Sequence, residues 1–546
     1  MARLRGCAKF ASVFVGFLSL SGCLSGGGVT GSDASSSQSS LDAGLPIGAA
    51  VPVGAQLSVP AYSGSFGYGF NPGYYGNGFS DNHLYQLGLD AGAHTMRASL
   101  PDSFILQYGP QIRVPNFQFT QNTLGFTGNT VFIGTPADSD RDPTPYVSGK
   151  PSQLWAGMYL PIWADEANRV VNPANKLAVY VSKVVQNYGA YVQFWEIINE
   201  PDFTYDTVAA TAAPGVAGNW WSNTPNPADL TNIQAPAFQY IRVLRVSYTV
   251  IKKFYPNSYV GPGGLGYASF LDFILRNSDN PNGGALTTSY PTTGGAYMDM
   301  VSWHIYPEYG DAHYDNSISG FVRQRFSDKL ISVVATQAQS FANVLASRGY
   351  DGSRYPKKVQ IVTESNVSRK QVGATGTGGI ELQRNYAIKA LVEAQRLGLL
   401  QWDWFSLGES EDYATSNNSF ALEGLYQNLT TCSFGQQVMT TEGTANKTTS
   451  MLLAGSAYNA TLSAELQLPA GVDGAAFGSG TNATYVLWAK TSVDNSEAAS
   501  ATYSFPAGLG LSTMTRYEWD YSSSTATANS PSAGISLTGA PSFFRP

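Results

Sequence analysis

Between residues 64 and 405 the chain alternates two textures: short runs of β-branched and aromatic residues, and longer stretches whose apolar positions recur every three or four residues. The first is the pattern of strands buried on both faces, the second that of amphipathic helices. The spacing predicts strands at 64–70, 94–100, 130–134, 194–199, 260–264, 301–306, 359–364 and 400–405. It predicts helices at 84–91, 175–187, 235–254, 327–348 and 382–397. Strands that alternate with helices pair in parallel, and eight of them close into a (β/α)8 TIM barrel with its chemistry at the C-terminal strand ends. The stretches 102–129, 136–163 and 203–231 are too long for plain connections, and inserts of this kind at a barrel mouth are binding loops. Beyond about residue 421 the pattern changes to short alternating runs, such as 457–468 and 484–489, between Gly- and Ser-rich turns. That change predicts a barrel over 56–420 and a C-terminal β-sandwich over 421–546.

Two of the predicted strands end in glutamate. Phe194-Trp195-Glu196-Ile197-Ile198-Asn199-Glu200-Pro201-Asp202 stops at Pro201, which has no N–H for the ladder, and leaves Glu200 beside Asn199 at the strand's C-terminal end. Val359-Gln360-Ile361-Val362-Thr363-Glu364-Ser365-Asn366 delivers Glu364 three strands later. Between them, Val301-Ser302-Trp303-His304-Ile305-Tyr306-Pro307 puts His304 and Tyr306 on one face. An acid after Asn on strand four, a His-x-Tyr on strand six and a glutamate on strand seven resemble the retaining glycoside hydrolases of clan A. Within the clan, the Glu-Ile-x-Asn-Glu-Pro-Asp and Thr-Glu-Ser-Asn segments are most similar to family thirty-nine, which holds β-xylosidases, α-L-iduronidases and exopolysaccharide hydrolases.

The resemblance implies Glu200 as acid/base and Glu364 as nucleophile. Two carboxyl groups about 5 Å apart leave no room for water between them, so the second attacks directly and configuration is retained. It further implies that Arg97, ending strand two, holds Glu364 ionised while Glu200 carries a proton, and that Tyr306 donates its hydroxyl to Glu364. His304 would line the sugar pocket, Asn199 would bind the hydroxyl next to the reacting carbon, and one of Trp402 and Trp404 would floor the pocket. Trp220-Trp221 is a candidate sugar platform on the loop 203–231. Glu196 shares side parity with Glu200 and is expected about 13 Å deeper, at the barrel floor, in a structural role. Asp202, Glu308 and Glu409 fall on rim loops, outside the nucleophile position. The same residues would serve a transglycosylase acting on envelope polysaccharide. A glycan-binding protein that has lost catalysis is the other alternative. His83, His94, His304 and His313 are scattered and form no close pair with each other or with a cysteine, so no metal site and no cofactor are expected.

With 546 residues, 43% of them hydrophobic, the chain suffices for a large barrel and a second domain. Only 13% are charged and the net charge is -7, which argues against nucleic acid, whose phosphates require concentrated Lys and Arg. The 32 Tyr, 27 Phe and 10 Trp supply rings for the core and for the apolar faces of sugars. No protein partner is expected. At the N-terminus, Arg3, Arg5 and Lys9 precede an apolar run over 10–20 that is too short to span a bilayer as a mature helix. It ends in Leu20-Ser21-Gly22-Cys23, which resembles a bacterial lipobox: residues 1–22 would be the signal peptide, Cys23 the lipidated residue and 23–55 a Gly/Ser-rich tether. Leu24 in place of Asp points to the outer membrane or cell surface. Cys7 would leave with the signal, so Cys432 has no partner for an internal disulfide. Cys23→Ser should release the protein from membranes. Its persistence in the membrane fraction after a high-salt wash would contradict lipidation.

Overall fold

The apolar runs pair in parallel because each is flanked by a helix that carries the chain back to the same end. The computed structural model describes residues 58–165 and 167–546, so the expected signal peptide, Cys23 and the tether over 23–55 lie outside the described residues. The strands are β1 (Gly67–Phe70), β2 (Arg97–Ser99), β3 (Asn129–Ile133), β4 (Val192–Asn199), β5 (Tyr259–Gly263), β6 (Met300–Ile305), β7 (Val359–Ser365) and β8 (Gln401–Trp404). One helix follows each: α1 (Asp81–Asp90), α2 (Val114–Asn122), α3 (Lys176–Tyr188), α4 (Ala237–Phe254), α5 (Ala268–Arg276), α6 (Ser327–Ser347), α7 (Ile380–Arg396) and α8 (Thr441–Leu453). Parallel ladders run β2-β3-β4-β5 and β6-β7-β8-β1. The ring closes where the Leu265–Trp303 bridge joins the end of β5 to β6, and where the His94 N–H donates to the Tyr68 carbonyl between β1 and β2.

The barrel is plugged at its floor. Val59 and Tyr62 pack against Phe194, Tyr259, Met300 and Ile361 near the strand starts, and the Tyr259 hydroxyl donates to the Pro60 carbonyl at 2.8 Å. Chemistry is thereby confined to the opposite mouth, where the strand ends leave polar side chains facing inward.

Three helices escape the apolar pattern. The insert over 102–129 contains α2 and a short helix, Asp102–Tyr108, rather than an open loop. At nine residues α5 is shorter than the window over which a helical period can be told from an apolar run, and its Asp272 is buried between Arg276 and Arg348. In α8, Thr440 caps the start by accepting from the Gly443 N–H, and Asn446, Thr448, Thr449 and Ser450 are all buried. Such residues have weak helix propensity, and the helix is held by its packing on α7. The expected domain boundary at 421 therefore falls inside the barrel, before its last helix.

After α8 and the short helix Ala460–Glu465 come β9 (Val472–Phe477), β10 (Thr484–Ala489), β11 (Ser500–Tyr503), β12 (Thr513–Tyr517), β13 (Thr527–Pro531), β14 (Ile535–Thr538) and β15 (Ser542–Arg545). They form an antiparallel sheet in the order β9-β10-β15-β12-β13 and a pair, β11-β14. Tyr485, Leu487, Met514 and Phe544 of the first and Tyr503, Ile535 and Leu537 of the second belong to one core. The region is fastened to the barrel by buried ionic contacts. Lys389 pairs with Asp328 at 2.7 Å, Asp328 also accepts from the Trp488 indole and Thr491, and Glu497 accepts from Ser327 and Asn385.

Candidate active site

The end of β4 is bent to aim its last residues. Ile198 and Glu200 take left-handed φ angles of 58° and 46°, and the β4–β5 register slips between Ile197 and Asn199. For a β-branched residue such as Ile198 that conformation costs on the order of 1–3 kcal/mol and persists only where the surroundings enforce it. They do so here: the Glu200 N–H donates to the Gly263 carbonyl at 2.7 Å, and the Asn232 amide donates to the carbonyls of Asn199 and Glu200. Any Cβ on Gly263 would stand 2.1 Å from the Ile198 carbonyl oxygen, so the neighbouring strand needs glycine at this point.

Glu200 and Glu364 meet across the mouth. One oxygen of each, with Nδ1 of His304, lies within 4.8 Å of the others. His304 Nδ1 is 2.8 Å from Glu200 Oε1 and 3.6 Å from Glu364 Oε2. Its ring fits because Gly264, at φ 59°, has no Cβ; one would stand 2.1 Å from Nε2. Glu364 has both oxygens engaged, Oε1 by Arg97 Nη1 at 2.5 Å and Oε2 by the Tyr306 hydroxyl at 2.8 Å.

Arg97 is buried, and each nitrogen of its fork donates. Nε donates to Glu196 at 2.5 Å, Nη1 to Glu364 and to Asn71 at 3.1 Å, and Nη2 to Asn199 at 2.5 Å. Glu196 is fully buried and also accepts from Ser302 and Thr363. It faces inward as its parity implies and has the structural role expected, but its carboxyl is not at the barrel floor: one guanidinium spans Glu196 and Glu364. Asn71, which the strand pattern does not flag, binds this cation through its oxygen while its amide donates to the carbonyls of Thr363 and Trp404.

Electrostatics separates the groups. Burial works against charge on Glu364, but His304, Arg97 and the Tyr306 hydroxyl outweigh it and lower its pKa. For His304 burial disfavours the cation, yet the facing carboxyls of Glu364 and Glu200 raise its pKa. Burial and the adjacent Glu364 push the Tyr306 phenol well up, so it remains a donor. Asp403, under the site and bonded to Gln401, is raised well above the carboxylate range by burial.

Trp402 and Trp404 do not floor the pocket. Both are fully buried on the outer side of β8, where the Trp404 indole donates to Asn446 of α8 at 2.9 Å and packs on Tyr386 of α7. The inner side belongs to Gln401 and Asp403, so the next inward ring is that of Phe405, which with Phe420 packs edge-on against Tyr306. Trp220 is likewise buried against Tyr267 and Phe270, and the Trp221 indole bonds the Ala212 carbonyl, so that pair serves local packing. At the rim, Glu409 is held by Arg369 at 2.5 Å. Glu308 is half-buried with Oε2 unbonded, and burial pushes it up to about 8.

Glu200, His304 and Glu364 present the donor types a divalent cation would take. The guanidinium already on Glu364 supplies positive charge there and would repel a second cation.

The eight-stranded ring, its floor plug and its mouth can be compared with solved structures. A family 39 glycoside hydrolase from the gut symbiont Bacteroides cellulosilyticus superposes with a TM-score of 0.55 at 15% sequence identity, covering 88% of this chain and 81% of that one. The two chains share one fold. It is the fold expected from the resemblance of Glu200, His304, Tyr306 and Glu364 to clan A. A family 30 subfamily 8 xylanase from Clostridium acetobutylicum matches at 14% identity and a TM-score of 0.48, covering 90% of this chain and 98% of the other. No family model matches this chain, and neither does any curated protein.

Asp202 gives the site a pH signature. It is buried behind Glu200, where burial pushes its pKa up to about 7 against two N–H donors, Gly266 at 2.9 Å and Tyr267 at 2.8 Å. A carboxyl whose folded pKa exceeds its ordinary 3.8 contributes stability that is full below about pH 4 and is lost as the pH rises through 7. Asp202→Asn should flatten the fall in unfolding free energy between about pH 4 and 7, read by urea titration. A fall as steep as in the unaltered protein would place the titration elsewhere.

Proposed function

We propose that the protein is a retaining glycosidase that hydrolyses O-glycosidic bonds of an oligo- or polysaccharide through Glu200 and Glu364. The observation that carries this reading is the approach of the two carboxyls to within 4.8 Å, with Arg97 and Tyr306 holding one of them. That gap is in the range for direct attack and is too short for a water to be activated between them. In the first step a Glu364 oxygen bonds to the anomeric carbon as the bond to the leaving oxygen breaks, and Glu200 gives that oxygen its proton. In the second, Glu200 takes a proton from water, whose oxygen bonds to the anomeric carbon while Glu364 departs as carboxylate. His304, bonded to Glu200, shares the proton in transit. Asn199 accepts from Arg97 and keeps its amide N–H groups for the sugar hydroxyl beside the reacting carbon.

A non-catalytic glycan-binding protein would have no use for a nucleophile kept ionised against burial, so the intact constellation favours catalysis. Transfer to an acceptor sugar instead of water would use the same two steps, and product analysis with added acceptor distinguishes it. Within this reading the antiparallel sheets after α8 form a β-sandwich companion domain that braces the barrel. Cys23 anchors the whole by lipid in a bacterial envelope, in the outer membrane or at the cell surface.

Glu364→Ala should lower turnover of an aryl glycoside by roughly a thousandfold or more. Added azide or formate should then restore turnover and give product of opposite anomeric configuration, because a small anion fits where the carboxylate was. Glu308→Ala and Glu409→Ala should show no such rescue. Rescue at either of those positions, or none at Glu364, would move the nucleophile.

A further inference from the structure

Immediately beyond the catalytic mouth stands a hairpin, Ala312–Asp315 with Gly320–Arg323, that the hydrolase reading does not use. It starts six residues after Tyr306, which holds Glu364. Its base is fixed. Asp311 is buried and accepts from Arg323 at 3.2 Å and from Thr377, and its carbonyl accepts from the Gln324 N–H at 2.7 Å. Arg325, just past the hairpin, pairs with Asp494 at 2.7 Å. The C-terminal sheets thus hold the hairpin's root through a loop of their own.

Its tip is apolar and uncovered. Tyr314 and Phe321 are opposite partners in the ladder, with ring centroids 5.4 Å apart at 81°, and are 53% and 69% exposed. Ile318 at the turn is 64% exposed, and Tyr309, between Tyr306 and the hairpin, is 72% exposed. Single exposed apolar residues need no explanation, but three on one anchored hairpin and a fourth, Tyr309, just before it leave in water a surface that a binding partner would cover. The electrostatics narrows that partner. Arg323 is engaged by Asp311 and Arg325 by Asp494, and His313 lies beside Asp315, so each of these basic side chains already has an acidic neighbour and the hairpin does not favour an anionic ligand.

We propose that Tyr309 and the Tyr314–Phe321 pair form a distal subsite for a neutral polysaccharide of gluco- or xylo-configured pyranose units. Such sugars carry their hydroxyls equatorially, and each ring presents flat faces of C–H bonds that stack on aromatic rings. Continuity with the mouth rests on the hydrolase reading; the recognition chemistry does not.

The test is native affinity electrophoresis of the full chain carrying Glu364→Ala, which keeps the polymer intact. The gels contain wheat arabinoxylan, barley β-glucan or, as the anionic comparison, polygalacturonate. Retardation is expected with at least one neutral polymer and not with polygalacturonate. Adding Tyr314→Ala and Phe321→Ala should raise the dissociation constant about tenfold, on the scale expected for losing two stacking rings. The proposal is overturned if neither neutral polymer retards the protein, if retardation survives the double substitution, or if polygalacturonate retards it as strongly. Turnover of aryl glycosides by the unaltered protein is measured alongside. Absent turnover with intact polymer binding would defeat the hydrolase reading and leave the subsite standing.

Discussion

One guanidinium inside the barrel conditions nearly everything at the mouth. Arg97 is taken out of water, a transfer no cation tolerates unless its donors are met, and its fork ends on Glu196, Glu364, Asn71 and Asn199. These partners come from β4, from β7 and from the residue following β1, so the contact ties β2 to three other parts of the wall. Phe132 of β3 lies 4.7 Å beneath it and adds its ring face. A lysine could not replace it, because a single ammonium cannot address partners in so many directions from one planar frame. Burial disfavours that cation, and the paired Glu196 and Glu364 more than restore it.

From this contact the division of labour follows. Glu364, facing a fixed cation and a phenol donor, is held as an anion although burial opposes it. Glu200 reaches the same space from the other side, on backbone forced into left-handed angles by the bulge at Ile198, and meets His304 instead of the guanidinium. The strain is confined to the turn that sets the distance between the two carboxyls, and Gly263 and Gly264 make room for it. Positioning and charge are therefore fixed before any ligand arrives, which is how a site obtains electrostatic stabilisation without reorganising.

What could be read from the residues reflects what buried strands do to a sequence. Most barrel strands write apolar runs, although β2 is only Arg97-Ala98-Ser99, and Pro201 marks the end of β4, so the strand order and both glutamates are legible. Helices α2, α5 and α8 are not: α5 is too short to declare a period, and α8 is a polar sequence made helical by its packing. The resemblance implies a tryptophan floor from Trp402 or Trp404, whereas alternation from Gln401 and Asp403 puts both rings outward and Phe405 inward. Asn71 could have been noticed as a polar residue closing an apolar strand before Pro72, but its role depends on Arg97, which lies elsewhere in the chain. The depth of the Glu196 carboxyl is not written in strand position, because its side chain reaches the same guanidinium as Glu364.

The central claim is that Glu364 attacks carbon directly, with no water between the two carboxyls. Proton NMR of an aryl β-glycoside reaction in its first minutes, before the free sugar equilibrates, tests it most directly. Retention predicts that the product's anomeric proton appears first with the β coupling of the substrate. An α product appearing first would require a base standing about 6.5–9.5 Å from the acid, and would contradict the account.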